Sequence, residues 1–352
     1  MKRYLAGVTA LVLALTSATA MADVKIGYLY VGAKTDGGYN QAQNYAREYV
    51  QKHMKGVQTN YLENIPENAQ VAQAMERMIQ GGDKIIFATS YGYLPYVLQV
   101  AKRHPDVTFM HCGGAKLAPN VGTYYADMYQ AMYLAGIAAG KASKSGKIGF
   151  VGAHPIPQVL SDINALTLGA QSVNPKIKMY VVYTGAWNDP GKDVAAVNSL
   201  ADQGVDVVGM HVDSPVPVIE AAKKRSIKVV GYHFNDQHLY PKGWLSGGSW
   251  NWGPLEVKLI KSIENGTWKS KHYYGDLRTG AAKLNPFGPT VSATTRKHIE
   301  AVKAKIMKGS FNVWTGPIYG QDGKVVVPAG TTLPLPKVDS MNFLVKGVIG
   351  SK

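Results

Sequence analysis

Apolar and polar positions alternate along this chain in a rhythm that repeats. From Val24 the sequence VKIGYLYVG is a β-rich run, and a glycine-rich loop separates it from QAQNYAREYVQKHM, where apolar residues recur at helical spacing. VQTNYLE then precedes NAQVAQAMERMIQ, DKIIFATS precedes LPYVLQVAKRH, and VTFMHCGG precedes MYQAMYLAGIAAGKAS. These rounds predict a parallel sheet wrapped by helices. A second series starts at Gly146 with GKIGFVGA and continues through IKMYVVYTGAW, VDVVGMHV and IKVVGYHF, each of the first three followed by a helical pattern. The density of Val and Ile in these runs is that of strands buried on both faces. The expected class is therefore α/β, with two similar Rossmann-like lobes.

From about Trp244 the rhythm changes to a strand-like GWLSGGSW, a helix PLEVKLIKSIENGTW, short strands, and one more helix near Thr294 to Met307. Such a tail has the wrong count for a third domain and is expected to complete both lobes by crossing back between them. The expected division is 23–142 plus about 248–300 for the N-terminal lobe, and 143–247 plus about 301–352 for the C-terminal lobe. Ligands of open α/β sheets bind outside the carboxyl ends of the strands, so function is sought in the loops there.

The first residues set the expected compartment. Lys2 and Arg3 form a positive n-region, Leu5 to Leu15 an apolar h-region, and Ala20-Met21-Ala22 a small-x-small site. Residues 1–22 read as a secretory signal peptide cleaved after Ala22, too short in its apolar run to be a membrane anchor. A periplasmic, freely soluble protein is expected. The one cysteine, Cys112, lies far from the leader, so neither a lipoprotein anchor nor an internal disulfide is expected; it reads as the end of a buried strand at a pocket rim. The formal charge is +15, and loss of Lys2 and Arg3 with the leader leaves +13, scattered over helix faces with KKR at 223–225 and KAK at 303–305 as the densest runs. Without a nucleic-acid fold signature this argues against a nucleic-acid partner.

Six strand-end loops carry the candidate chemistry. Tyr39 and Asn40 follow Gly37 and Gly38 in the first, where glycine lets the backbone approach a ligand and Asn40 also fits a helix cap. Ser90 and Tyr91 stand in ATSYGYLP, and Trp187 in YTGAWNDPGK, where Asp189 suits a turn brace. His211 and Asp213 leave their strand together, Asp236 lies in GYHFNDQ, and Trp250, Asn251 and Trp252 stand in GGSWNWGP. Aromatic faces beside a few directed polar groups suit a planar, polar heterocycle. No GxxxxGK[ST] or GxGxxG phosphate cradle is present, nor HExxH or GxSxG, so no cofactor, metal or catalytic residue is expected. His211 with Asp213 is the one local acid–base pair, and His233 with His238 is a weak zinc signal.

GYNQA, YLAGIAAGKAS, the long block VNPKIKMYVVYTGAWNDPGKDVAAVNSLADQGVDVV and VIEAAKKRSIKVVGYHFNDQ together resemble the basic membrane protein family of ABC-transporter substrate-binding proteins. The likeness runs from about Val24 to the helix after Gly253. It implies a type I periplasmic binding protein fold with three crossings, a purine-like ligand bound by lobe closure and an inner-membrane permease as partner; a monomer is expected. In the nucleoside-binding branch an aromatic–Asn pair holds the purine, matched here by Tyr39-Asn40, while Asn235-Asp236 and Trp187 match two further family positions. The family's carboxylate after the third strand is missing at Cys112-Gly113, and its ribose-reading segment is replaced by Trp250-Asn251-Trp252. Burying ribose hydroxyls against indole would leave them unpaired at about 1–3 kcal/mol each. The expectation is that GGSWNWGP trims a nucleoside site to a free purine base. Its alternatives are packing tryptophans with a nucleoside ligand, a signalling receptor, and, further off, a nucleoside hydrolase.

Overall fold

The computed structural model describes residues 23–352; the expected leader lies outside them. In chain order the first half forms β1 (Val24–Leu29), α1 (Tyr39–His53), β2 (Val57–Leu62), α2 (Gln70–Gln80), β3 (Ile85–Ala88), α3 (Leu94–Ala101), β4 (Thr108–Cys112) and β5 (Val121–Ala126). The next series is α4 (Tyr129–Ala142), β6 (Lys147–Gly152), α5 (Pro157–Gln171), β7 (Lys178–Tyr183), α6 (Pro190–Asp202), β8 (Val207–His211), α7 (Val216–Lys224), β9 (Lys228–Gly231) and β10 (Trp244–Trp250). The tail adds α8 (Gly253–Glu264), β11 (His272–Gly275), β12 (Ala282–Leu284), α9 (Ala293–Lys308), β13 (Ile318–Tyr319), β14 (Val325–Val327), α10 (Leu335–Val338) and β15 (Val348–Ile349).

Two large sheets result, in the orders β11-β5-β4-β3-β1-β2 and β12-β10-β9-β8-β6-β7-β15. Five strands of each follow one plan, β2-β1-β3-β4-β5 in the first lobe and β7-β6-β8-β9-β10 in the second. Every pairing is parallel except β10 with β12. β3 and β8 are buried at every residue, which fits their uninterrupted apolar sequences. This is the two-lobed type I periplasmic binding protein fold.

The chain passes between the sheets three times: after Ala126 into α4, after Trp250 into α8, and after Gly275 into β12. The tail completes both lobes, since β11 joins the first sheet and β12 the second, while α8 packs on α1. The division differs from the expected one at β12, which lies within the 248–300 stretch expected for the first lobe yet joins the second sheet, and at α4. That helix packs on α5 and β10 of the second lobe, and α9 packs on α4 in turn. Its small residues explain the choice. A Cβ on Gly136 would stand 2.3 Å from the Leu166 carbonyl oxygen, and one on Gly169 would stand 2.0 Å from that of Tyr133. Only glycines there let α4 and α5 pack backbone to backbone.

Candidate functional site

The switch point of a doubly wound sheet lies where strands on either side of the first strand diverge, and here the switch points of both lobes face each other. Between them is a cavity of about 40 Å³, walled by Tyr39, Ser90, Tyr91, Cys112, Gly113 and Tyr125 of the first lobe and Ile156, Gln158, Trp187, His211, Asp213 and His233 of the second. Ligand pockets run to roughly 300–1,000 Å³, so this space is tight.

The lobes are closed upon it. Tyr39 donates its backbone N–H to the Asp213 carbonyl at 2.8 Å, and Ser214 Oγ donates to the Asp36 carbonyl at 2.6 Å. Trp187 Nε1 donates to Glu67 Oε2 at 3.2 Å, and Gln158 Nε2 to the Gly113 carbonyl at 2.8 Å. Gly38 makes the approach possible: an added Cβ would lie 2.1 Å from the Asp213 oxygen. The glycine expected to admit a ligand admits the opposite lobe.

Asp36 caps α1, its carboxylate accepting the backbone N–H groups of Gly38, Asn40 and Gln41. Asn40 is fully buried and bridges the lobes, donating from Nδ2 to Asp36 Oδ2 at 2.8 Å and to Asp213 Oδ2 at 3.3 Å. Burial pushes the Asp213 carboxyl well above its usual range, and the nearby Asp36 carboxyl adds to this. Asp236 is pushed up to about 7 by burial and then by Asp36. Asp193 of α6 is pushed up to about 7 by burial and then by Asp189, and both its carboxyl oxygens are buried without a partner. Asp189 itself caps α6, accepting the Lys192 N–H, as a turn brace would.

His211 pairs with Asp162 of α5, not with Asp213: Nδ1 lies 2.8 Å from Asp162 Oδ2, and the Tyr232 hydroxyl donates to the same oxygen at 2.6 Å. With Nδ1 taken, Nε2 is the ring nitrogen that remains for a ligand. His233 has a φ of 69°, left-handed backbone at the end of β9. Trp250 Nε1 donates to its Nδ1 at 2.7 Å. An indole nitrogen only donates, so His233 carries its proton on Nε2, an atom buried without a partner at the cavity wall. Burial holds this imidazole well below its usual pKa, neutral and in one tautomer.

Of the residues picked from sequence, Tyr39, Ser90, Tyr91, Trp187, His211 and Asp213 thus come together on the cavity. Asn40, Asp236, Trp250, Asn251 and Trp252 are not among its walls. Trp250 and Trp252 stack on each other with ring centres 4.5 Å apart and planes 18° apart, both buried at the crossing from β10 to α8. Tyr125 stands between them and the cavity, 5.3 Å from the Trp250 ring and 6.0 Å from the Trp252 ring. Asn251 ties two crossings together, donating its N–H to the Ala281 carbonyl and Nδ2 to that of Gly280. Cys112 ends β4 at the cavity, where burial pushes its thiol up to about 12. Sequence reasoning missed Tyr125, Gln158 and Glu67, and singled out His233 only with His238 as a weak zinc signal; its place two residues after β9 is the signal that marks it for the cavity.

A family model described as ABC transporter substrate-binding protein PnrA-like (Bmp) matches residues 23–313. The chain belongs to the Bmp family. It is 37% identical over 333 residues to a purine-binding protein of Brucella abortus (strain 2308), covering 94% of this chain and 95% of that one. It is 32% identical over 297 residues to a putative ABC transporter glucose-binding protein of Haloferax volcanii, covering 84% and 75%. An ABC-transporter solute-binding protein from Aeropyrum pernix K1 superposes with a TM-score of 0.72 at 18% identity, covering 90% of this chain and 96% of that one, which speaks for the fold alone. The Bmp family consists of extracytoplasmic substrate-binding proteins, so a small-molecule ligand and a permease partner follow.

Proposed function

We propose that this Bmp protein works in the periplasm, closes its lobes around a free purine base and delivers it to its permease without altering it. The observation that carries this reading is the small closed cavity, which joins flat walls from Tyr39, Tyr125 and Trp187 to the buried polar groups of Asp213, His211 and His233. Flat walls favour a planar ring, and the mixture of a carboxyl and two imidazoles suits a ring edge that carries both donors and acceptors. The 37% identical Brucella relative, named a purine-binding protein, supports the same ligand class.

The reason for preferring base to nucleoside changes from the one read in sequence. Trp250 and Trp252 stack behind Tyr125 and His233, so they limit the cavity by holding those two side chains rather than by touching the ligand. His211 is held by Asp162, while the hydroxyl of Ser90 bonds Glu67 and the thiol of Cys112 accepts from Gln43, so neither is paired with the imidazole, which supports binding without hydrolysis. Calorimetry with adenine, guanine, hypoxanthine, adenosine and guanosine on unfolded and refolded, ligand-free protein tests the reading. A free base is expected to bind most tightly. A nucleoside that binds more tightly than its base, or purines that all fail to bind, would overturn it.

A further inference from the structure

A second, larger chamber of about 320 Å³ lies beside the cavity and shares three walls with it: Gly113, Tyr125 and Gln158. Its floor comes from β5 and β11 of the first lobe, its roof from α10 and the residues just after it in the second. The lining is rich in groups that pair with hydroxyls: Thr123 Oγ1 stands 2.6 Å from His272 Nδ1, the Tyr274 hydroxyl donates to the Asp339 carboxylate, and Ser340 lies at the rim. Along the shared wall a hydrogen bond runs from Gln158 Nε2 to the Gly113 carbonyl, which also joins the lobes. The other end of the same amide, Oε1, is buried without a partner.

We propose that Gln158 is a gate between the base cavity and a second subsite, and that this subsite takes the hydroxylated substituent of an N-substituted purine when the gate is removed. The inference rests on the purine reading and adds to it the residue that sets the ligand's size. With the bridge in place, a ring nitrogen carrying a sugar has nowhere to put it, and Gln158 Oε1 keeps its need for an N–H donor, which the free base has and the glycoside lacks. With the bridge gone, the sugar reaches hydroxyl-pairing groups.

The test measures adenine and adenosine affinities by calorimetry in the wild type, Gln158→Ala, and Gln158→Ala combined with Ser340→Trp, which fills the chamber from its rim. Loss of the lobe-to-lobe bond weakens both ligands, so the ratio of the two affinities is the readout. Gln158→Ala is expected to move that ratio toward adenosine by about tenfold or more, and Ser340→Trp to return it to the wild-type value. A ratio that stays put in Gln158→Ala, or a gain that survives Ser340→Trp, would overturn the gate. Should Gln158→Ala not close on adenine, Gln158→Ser, which keeps a small polar group, gives the same readout. A wild type that already prefers adenosine overturns the gate and leaves a purine ligand standing, whereas a wild type that binds neither overturns the purine reading first and the gate with it.

Discussion

At the hinge the two lobes meet through stacked indoles, whereas at the mouth of the cleft they meet through carboxyl groups. Trp250 and Trp252 are packed edge-on against Tyr124, Tyr125 and Tyr232, and this contact is apolar and tied to the backbone crossing itself. Asp36 and Asp213 face each other across the mouth with Asn40 between them, Asp236 and Asp193 stand nearby, and burial raises all four carboxyls most, with Asp36 adding to the rise of Asp213 and Asp236. Packing of the first kind is insensitive to pH and ligand. Contact of the second kind depends on protons and on what fills the cavity, because ionised carboxyls in a dry seam repel. A binding protein needs both: a joint that persists in open and closed forms, and a seam that can let go.

The largest test of this contrast is at the hinge. Trp252 is 1% exposed, so Trp252→Ala is expected to lower unfolding stability by about 3–5 kcal/mol, measured by urea denaturation without ligand. A loss below about 1 kcal/mol would mean that the stack is not structural. At the mouth the opposite signature is expected from Gly38→Val. Its branched side chain would meet the Asp213 carbonyl and Pro215 only when the lobes close, so ligand affinity is expected to fall about 100-fold while stability without ligand changes little. Unaltered affinity would show that this seam does not close on the ligand.

The fold was legible because parallel strands buried on both faces read as apolar runs, and β3 and β8 are such runs from end to end. The allegiance of α4 was not. Gly136 and Gly140 announce close packing, yet nothing local says that the partner is α5 and not a helix of the preceding lobe. The walls of the candidate cavity were legible where a side chain stands at or just after a strand end at the switch point, as with Ser90, His211 and Asp213. It was illegible where identity depends on residues distant in sequence. Asn40 reads as a ligand group until Asp213, 173 residues away, engages it. Likewise the alternation of Trp250 and Trp252 suggests a shared face, and only the fold shows Tyr125 standing in front of it.

A smaller effect is expected where the two regions touch. Trp250→Phe keeps the stack and removes the N–H that His233 Nδ1 accepts. Leaving that nitrogen buried and unpaired is expected to cost about 1–3 kcal/mol, shared between stability and ligand affinity. In NMR the His233 imidazole of the wild type should show one neutral tautomer, protonated at Nε2, and Trp250→Phe should release that restriction. A tautomer unaltered by the substitution would break the link from hinge to pocket.

The mildest effect concerns pH, and its sign follows from burial. Asp193 and Asp236 titrate near 7 in the folded protein, above the ordinary 3.8 of an aspartate. Below about pH 4 the two carboxyls are protonated in folded and unfolded chains alike and cost nothing. As pH rises from about 4 to about 7 the unfolded chain ionises them first, so their contribution to stability falls, and above about 7 the loss is complete and constant. Urea midpoints of the ligand-free protein should therefore drop between about pH 4 and about pH 7, and Asp193→Asn with Asp236→Asn should flatten that drop. The hinge variant Trp252→Ala, less stable throughout, should keep the wild-type slope, because no carboxyl of the seam is altered in it. A slope that disappears with Trp252→Ala and survives the two Asp→Asn changes would place the titrating groups at the hinge, where Glu256 is also raised, to about 8, by burial.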